Sequence, residues 1–248
     1  MQPVIVITGG SRGIGAATAL LAAKQGYAIC INYLKNDEAA NALVSSIKAA
    51  DGKAIAVKAD VANEAEVVSL FERIDKEFGA VTALVNNVGI LETQMRLETM
   101  DAARLERIFK NNVISYFLCA REAVRRMSTA KGGKGGAIVN VSSRAACSGS
   151  PNEYIDYAAS KGAVDTLTKG LSLEVAQEGI RVNGVRPGLI YTDLHASGGE
   201  PNRVKRLETH IPMQRGGQPE EVARAILWLL SDEASYITGT FVDVSGGR

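Results

Sequence analysis

Short runs that are apolar at nearly every position alternate along the chain with longer stretches whose apolar residues follow a helical spacing. The runs at 4–8, 27–32, 54–59, 83–86, 137–142, 181–186 and 241–244 are mostly Val, Ile and Ala. Strands apolar on both faces suit a parallel sheet covered on both sides. Helical spacing covers 13–25, 37–50, 64–78, 101–128, 155–178 and 219–231. This alternation predicts an α/β fold: a doubly wound sheet of about seven parallel strands, helices on both faces, in one domain over 1–248. Gly26, Gly52 and Gly179 fall where helices should end. The alternation breaks at 193–217, a polar stretch with Gly198, Gly199, Pro201, Pro212, Gly216 and Gly217. Such a stretch reads as a substrate lid, with a plain solvated excursion as the alternative.

Composition narrows the partners. Lys and Arg number 28 against 27 Asp and Glu, a formal net charge of +1. That balance suggests neither a nucleic-acid nor a membrane partner and leaves a small molecule as the expected ligand. Cys30, Cys119 and Cys147 are sparse, odd in number and without metal-ligand spacing, so no metal is expected. A reducing, cytoplasmic setting is the reading, supported by an apolar strand pattern starting at Val4 in place of a leader.

Directly after the first strand comes TGGSRGIG at 8–15, followed by a helical pattern. Gly9, Gly13 and Gly15 permit a tight turn and let backbone amides approach a pyrophosphate at a helix N-terminus. Ser11, Arg12 and Ile14 complete the turn, and together these residues are the candidate dinucleotide site. The second strand ends at Asn32-Tyr33 without the acid that commonly accepts from an NAD ribose. Arg12 and Lys35 lie nearby, and cations without a competing carboxylate favour a 2′-phosphate. NADP(H) is therefore the expected cofactor, with NAD(H) possible.

Tyr157 and Lys161 stand at i and i+4 of a helical pattern and share one face. A tyrosine near its ordinary pKa of about 10 is a poor base at neutral pH, and an adjacent ammonium would lower it. Ser143 follows the strand 137–142, at the carboxyl edge where such sheets bind ligands. Leu105, Ile108, Asn112, Val113 and Tyr116 share a helical face, so the Asn112 amide needs partners there.

With these residues in place the chain resembles the short-chain dehydrogenase/reductase family over essentially its whole length. The matching pieces are TGGSRGIG at 8–15, Asp60-Val61, NNVG at 86–89, Asn112, Ser142-Ser143, YAASK at 157–161, Pro187-Gly188 and Thr192. The resemblance implies a Rossmann-like domain with Tyr157 as acid/base and Lys161 lowering its pKa while holding the nicotinamide ribose. It implies that Ser143 orients the substrate oxygen and Asn112 holds a water behind Lys161. Asp60 and Val61 would contact adenine, Asn87 and Gly89 the adenosine side, and Pro187, Gly188, Ile190 and Thr192 the nicotinamide amide.

Three positions depart from the family's pattern: Val88 replaces a usual Ala, the Ser143–Tyr157 spacing is one residue long, and Ser245 stands where Asp is usual. The implied reaction interconverts a carbonyl and its alcohol. A 3-oxoacyl-carrier-protein reductase and a sugar or polyol dehydrogenase remain open, as does a non-catalytic NADP(H) sensor. The family also implies a homo-oligomer, a tetramer or less commonly a dimer. Its pairing helices would be those carrying Phe109, Tyr116, Phe117, Leu167 and Leu171.

Overall fold

Odd and even positions of the first strand divide the core in two. The computed structural model describes residues 2–248. In β1 (Val4–Ile7), Ile5 and Ile7 point into one apolar cluster while Val4 and Val6 point into another. This is the two-residue period of a strand buried on both faces. The remaining strands are β2 (Ala28–Tyr33), β3 (Lys53–Lys58), β4 (Ala83–Asn86), β5 (Gly136–Val141), β6 (Ile180–Pro187) and β7 (Phe241–Val244). All pair in parallel, in the order β3-β2-β1-β4-β5-β6-β7. The expected seven-stranded, doubly wound sheet is what forms. The chain reverses its direction of travel between β1 and β4, and the crevice above their carboxyl ends is where such sheets take ligands.

Helices α1 (Gly13–Lys24) and α2 (Asp37–Ala49) cover the Ile5/Ile7 face, and α3 (Glu64–Phe78) covers the other. The predicted helix 101–128 is three pieces: α4 (Ala102–Phe109), a π-helical turn (Lys110–Ile114) and α5 (Ser115–Met127). A single inserted residue widens the turn around Asn112, and such bulges are often found at functional sites. After β5 come a short α6 (Ala145–Ser148) and the long α7 (Ile155–Glu174). The predicted helix 155–178 thus stops four residues early. A 3₁₀ turn over Ala176–Glu178 leads to Gly179, whose φ of 74° ends it.

The stretch after β6 is not shapeless. It folds as α8 (Leu194–Ser197), α9 (Arg203–Leu207) and a 3₁₀ turn (Glu208–His210), and buries a small apolar cluster of Leu189, Val204 and Ile211. Its two ends are clipped by Tyr191 donating to the Gly217 carbonyl and Gly217 donating to that of Leu189, both at 2.9 Å. The last helix, α10 (Pro219–Leu230), opens with a capping box between Gln218 and Glu221 and returns to the Ile5/Ile7 face.

A buried amide ladder fixes α7 across the sheet. Asn86 of β4 donates to Asn140 of β5 at 3.0 Å, and Asn140 donates to the Thr168 hydroxyl of α7 at 2.9 Å. These side chains are fully buried, so each needs the next as a partner. None of the described helices is long and apolar enough to cross a membrane.

Candidate active site

Two amide side chains hold the glycine turn from either side. Asn87, just past β4, donates to the carbonyls of Thr8 and Gly9 at 3.0 and 3.1 Å, and its own amide N–H donates to the Thr8 hydroxyl at 2.9 Å. Asn32 accepts from the Gly9 N–H at 3.3 Å and donates to the Ala59 carbonyl at 2.9 Å. Asn32 lines the cleft, and its amide also braces the turn against the end of β3, because the buried carbonyls there demand donors. Gly9 and Gly13 have φ of 59° and 52°, the left-handed region. A Cβ on Gly15 would stand 2.8 Å from Asn87 Nδ2 and from Gly10 Cα. Gly15 thus acts by its size. Val88, the departure from the family's alanine, packs against this turn, its Cγ2 lying 3.2 Å from where a Gly9 Cβ would be.

The turn opens onto α1, whose N-cap residue Arg12 makes no side-chain cap bond and whose first turn carries no acid. Its first amides are therefore open to an external anion. Arg12 and Lys35 are exposed, and neither pairs with a carboxylate among the described residues. The acid closest in sequence to the end of β2, Asp37, is engaged by the Tyr33 hydroxyl at 2.8 Å and by Lys58 at 3.2 Å. These bonds hold its carboxyl below the ordinary range, the Tyr33 bond contributing most.

At the other end of the crevice the Lys161 ammonium is buried. Its Nζ donates to the Val141 carbonyl at 2.8 Å and to the Tyr116 hydroxyl at 3.1 Å, and stands 5.8 Å from the Tyr157 ring centre. Tyr116 in turn donates to the same Val141 carbonyl at 2.9 Å. Burial pushes Lys161 down to about 7, opposed by the charge of Asp165. Burial also pushes Tyr157 up to about 12, with the Ser143 hydroxyl pulling the other way. In the ligand-free protein burial therefore dominates at Tyr157, over any lowering by Lys161. Desolvation penalises both charged forms more than the neighbours favour them.

Asn112 faces inward as expected, but it works as a clasp. Its amide donates to the Ile90 carbonyl at 3.0 Å and to Ser160 Oγ at 3.2 Å, and accepts from the Ile90 N–H at 2.8 Å. Both amide hydrogens are engaged within the protein. It ties the π-turn to the segment leaving β4 and to α7.

One cleft of about 850 Å³ joins the two ends. Gly9, Ser11, Arg12, Gly13, Ile14, Asn32, Tyr33, Asp60, Val61, Asn87, Gly89, Ser143, Tyr157, Lys161, Pro187, Gly188, Ile190 and Thr192 all line it; Gly15 and Asn112 lie behind its wall. The sequence pattern overlooked Tyr154 and Arg203 and gave Tyr116 another role. Tyr116 was assigned to a pairing face between subunits, yet it is fully buried under Lys161 while Phe109 and Phe117 stay exposed. The clue was already present, since Tyr116 shares the face of Asn112. The long Ser143–Tyr157 connection forms α6 and then turns through Gly149, Ser150 and Asn152 with φ of 73°, 42° and 63°. This accommodates the extra residue.

A family model described as enoyl-(acyl carrier protein) reductase matches residues 9–248. The chain belongs to the short-chain dehydrogenase/reductase family. The uncharacterized oxidoreductase YgfF of Escherichia coli is 60% identical over 245 residues, 99% of each chain. NADPH-dependent aldehyde reductase 1, chloroplastic, of Arabidopsis thaliana is 34% identical, over 98% of this chain and 85% of its own. A short-chain type dehydrogenase/reductase from Mycobacterium marinum superposes with a TM-score of 0.91 at 32% identity, over 99% of this chain and 94% of its own. This short-chain dehydrogenase/reductase is an NAD(P)-dependent oxidoreductase with the family's Tyr–Lys pair.

The Lys161 shift has a measurable consequence for the ligand-free protein. Between about 7 and the ordinary lysine value of 10.5 the unfolded chain holds a proton that folded Lys161 has released. Folding stability therefore rises with pH across that window. Lys161→Met should flatten this rise in a series of thermal midpoints taken from pH 7 to pH 10. An unchanged slope would mean that Lys161 stays charged in its buried site.

Proposed function

We propose that the protein interconverts a neutral carbonyl compound and its alcohol with NADP(H), Tyr157 giving or taking the proton. The observation that carries this reading is Tyr157 standing beside the buried Lys161 and beside Ser143, in the same cleft as an anion-ready helix N-terminus. The residues fit a dinucleotide. Gly9 and Gly13 give the close backbone approach, and a Cβ on Gly13 would press within 3.2 Å of Thr192 Cγ2. Asp60 and Val61 would line the adenine end, and Lys161, Pro187, Gly188, Ile190 and Thr192 the nicotinamide end. When bound, the nicotinamide supplies or accepts the hydride.

The chain's own groups handle the proton and the oxygen. Raised to about 12, Tyr157 carries its proton at neutral pH and can donate it to a carbonyl oxygen as charge builds there. The Ser143 hydroxyl holds that oxygen, and the Lys161 charge favours the phenolate left behind. Selection of NADP(H) follows from the free Arg12 and Lys35 and from Asp37 being already engaged. The printed name of the Arabidopsis relative accords with this choice.

A neutral substrate fits the far end of the cleft. Of its cations, Lys161 is engaged by Val141 and Tyr116, Arg203 is paired with Glu153 and Glu200, and Arg144 with Asp243, which leaves Arg248 at the rim. Leu91, Tyr154, Leu189, Leu194 and His195 supply the rest of the lining. The 193–217 segment forms one wall and acts as a lid, docked by Arg203 on Glu153 and by Gln94 donating to Glu200 at 2.7 Å.

Four measurements test these assignments. Tyr157→Phe should lower kcat by about 10²–10⁴-fold, the usual worth of a general acid or base, with NADPH affinity nearly unchanged. Activity within threefold of the parent would remove Tyr157 from the chemistry. Arg12→Ala should weaken NADPH by about tenfold while barely altering NADH, one charge-assisted phosphate contact being lost. Equal affinity of the unmodified enzyme for the two cofactors would refute the charge argument. For the lid, amide exchange from about 196 to 217 should slow when NADP⁺ and a substrate alcohol are both present. His195→Ala should alter the KM for carbonyl substrates more than NADPH affinity. Equal exchange with and without ligands would make the segment a fixed wall.

A further inference from the structure

The first turn of α7 lacks a side-chain cap, since its N-cap residue, Tyr154, supplies none. Asp156 takes that part from inside the helix. One carboxylate oxygen accepts the backbone N–H of Tyr157 at 2.8 Å, and the other accepts from Arg104 Nε of α4 at 2.7 Å. Arg104 carries the tie onward. Its Nη1 donates to the Thr93 carbonyl at 2.7 Å, in the segment leaving β4 that also brings Leu91 to the cleft. The two side chains are 5% and 0% exposed.

An ion pair this deep is a poor way to gain stability. Removing both charges from water costs several kcal/mol per ion, and apolar replacements of similar volume are often neutral or stabilising. Here Arg104 Nη2 is also buried with no partner, a further cost. The pair is retained next to the one residue whose hydroxyl must meet the substrate oxygen. It binds that residue's own amide and fixes it laterally to α4 and to a cleft-lining segment.

We propose that Arg104 and Asp156 are positioning residues: together they set the first turn of α7, and hence where the Tyr157 hydroxyl stands over the substrate. Neither touches the reacting atoms. The same network reaches the lid, because the segment held through Thr93 also carries Gln94, which donates to Glu200, while Tyr154 donates to the Gly198 carbonyl at 3.2 Å. The catalytic turn, the cleft wall and the lid therefore share one buried anchor. A reacting group misplaced by about 1 Å can cost on the order of 10²-fold in rate, so loosening the anchor acts on kcat.

The inference rests on Tyr157 being the acid/base, and the experiment separates the two. Three enzymes are made: Arg104→Lys, Asp156→Asn, and the paired Arg104→Met with Asp156→Leu, which removes both charges at similar volume. The thermal midpoint, NADPH affinity, and kcat and KM for the aldehyde or ketone reduced fastest by the unmodified enzyme are measured. The primary isotope effect with 4-deuterated NADPH and the exchange rate of the Tyr157 amide are followed alongside. The paired variant should keep NADPH affinity within about threefold while kcat falls tenfold or more, with KM less changed and the isotope effect raised. Its Tyr157 amide should exchange faster, a readout that needs no turnover. Arg104→Lys, which keeps the charge but not the fork to Thr93, should recover part of kcat.

A folded Asp156→Asn or paired variant with kcat within twofold of the parent, or an unchanged Tyr157 amide, overturns the proposal. If neither charge-removing variant folds, Arg104→Lys decides: a parental kcat would make the pair a structural strut only. Activity surviving Tyr157→Phe would sink the acid/base assignment itself. Activity lost in Tyr157→Phe yet kept in these variants would sink only the positioning role.

Discussion

Burying the Lys161 ammonium is the constraint around which the catalytic end is arranged. A primary amine out of water needs acceptors at close range. Two are supplied, the Val141 carbonyl at the end of β5 and the Tyr116 hydroxyl of α5. Using Val141 requires α7 to lie across the carboxyl end of β5, and the Asn86–Asn140–Thr168 ladder holds it there. Using Tyr116 requires α5 to present that face to the sheet just after the π-turn. Asn112 then secures the widened turn to Ile90 and Ser160. One polar atom thus dictates the relative placement of α5, α7, β5 and the segment after β4.

The cofactor end follows the same logic with backbone groups. A glycine turn at the end of β1 leaves carbonyls and amides that no ladder can pair. Asn32 reaches them from β2, and Asn87 with the Thr8 hydroxyl reaches them from β4. With those groups satisfied internally, the amides of the α1 N-terminus are left for an incoming anion. Both ends therefore hang on side-chain amides that do no chemistry, and β4 contributes to each: Asn86 to the lysine end, Asn87 to the glycine end.

The strand runs were legible because burial on both faces writes itself as unbroken apolar sequence, and the residues of the cleft because turn glycines and a Tyr–Lys spacing are local features. What escaped was set by contacts distant in sequence. One extra residue in a helical turn barely disturbs the 3.6-residue period, so 101–128 read as a single helix when it holds a π-turn at Lys110–Ile114. The bracing bonds of Asn32 left no trace in the sequence, because the carbonyls of Val57 and Ala59 that claim its amide lie 25 and 27 residues away. Nothing in the sequence around Arg104 points to Asp156, because only the fold brings α7 against α4. The 193–217 stretch was marked as irregular by its glycines and prolines. Its small core of Leu189, Val204 and Ile211 was too sparse to give a period.

Desolvation and charge pull the Tyr–Lys pair in opposite directions, and the structure shows which prevails in the ligand-free protein. Burial moves Lys161 down and Tyr157 up, so a protonated phenol beside a readily neutralised amine is the state the pocket favours. Asp165, one turn along α7 from Lys161, is the counterweight. Its own charge is balanced by Arg186 at 2.9 Å, which also faces Asp243 at 3.9 Å, and Asp243 takes Arg144 at 2.6 Å. That line of alternating charges runs from behind the lysine to the cleft rim next to Ser143. It lets a carboxylate support the ammonium while that carboxylate's own charge is balanced by Arg186. The polarity of the pocket is therefore set as much by what stands behind Lys161 as by the two groups that face the substrate.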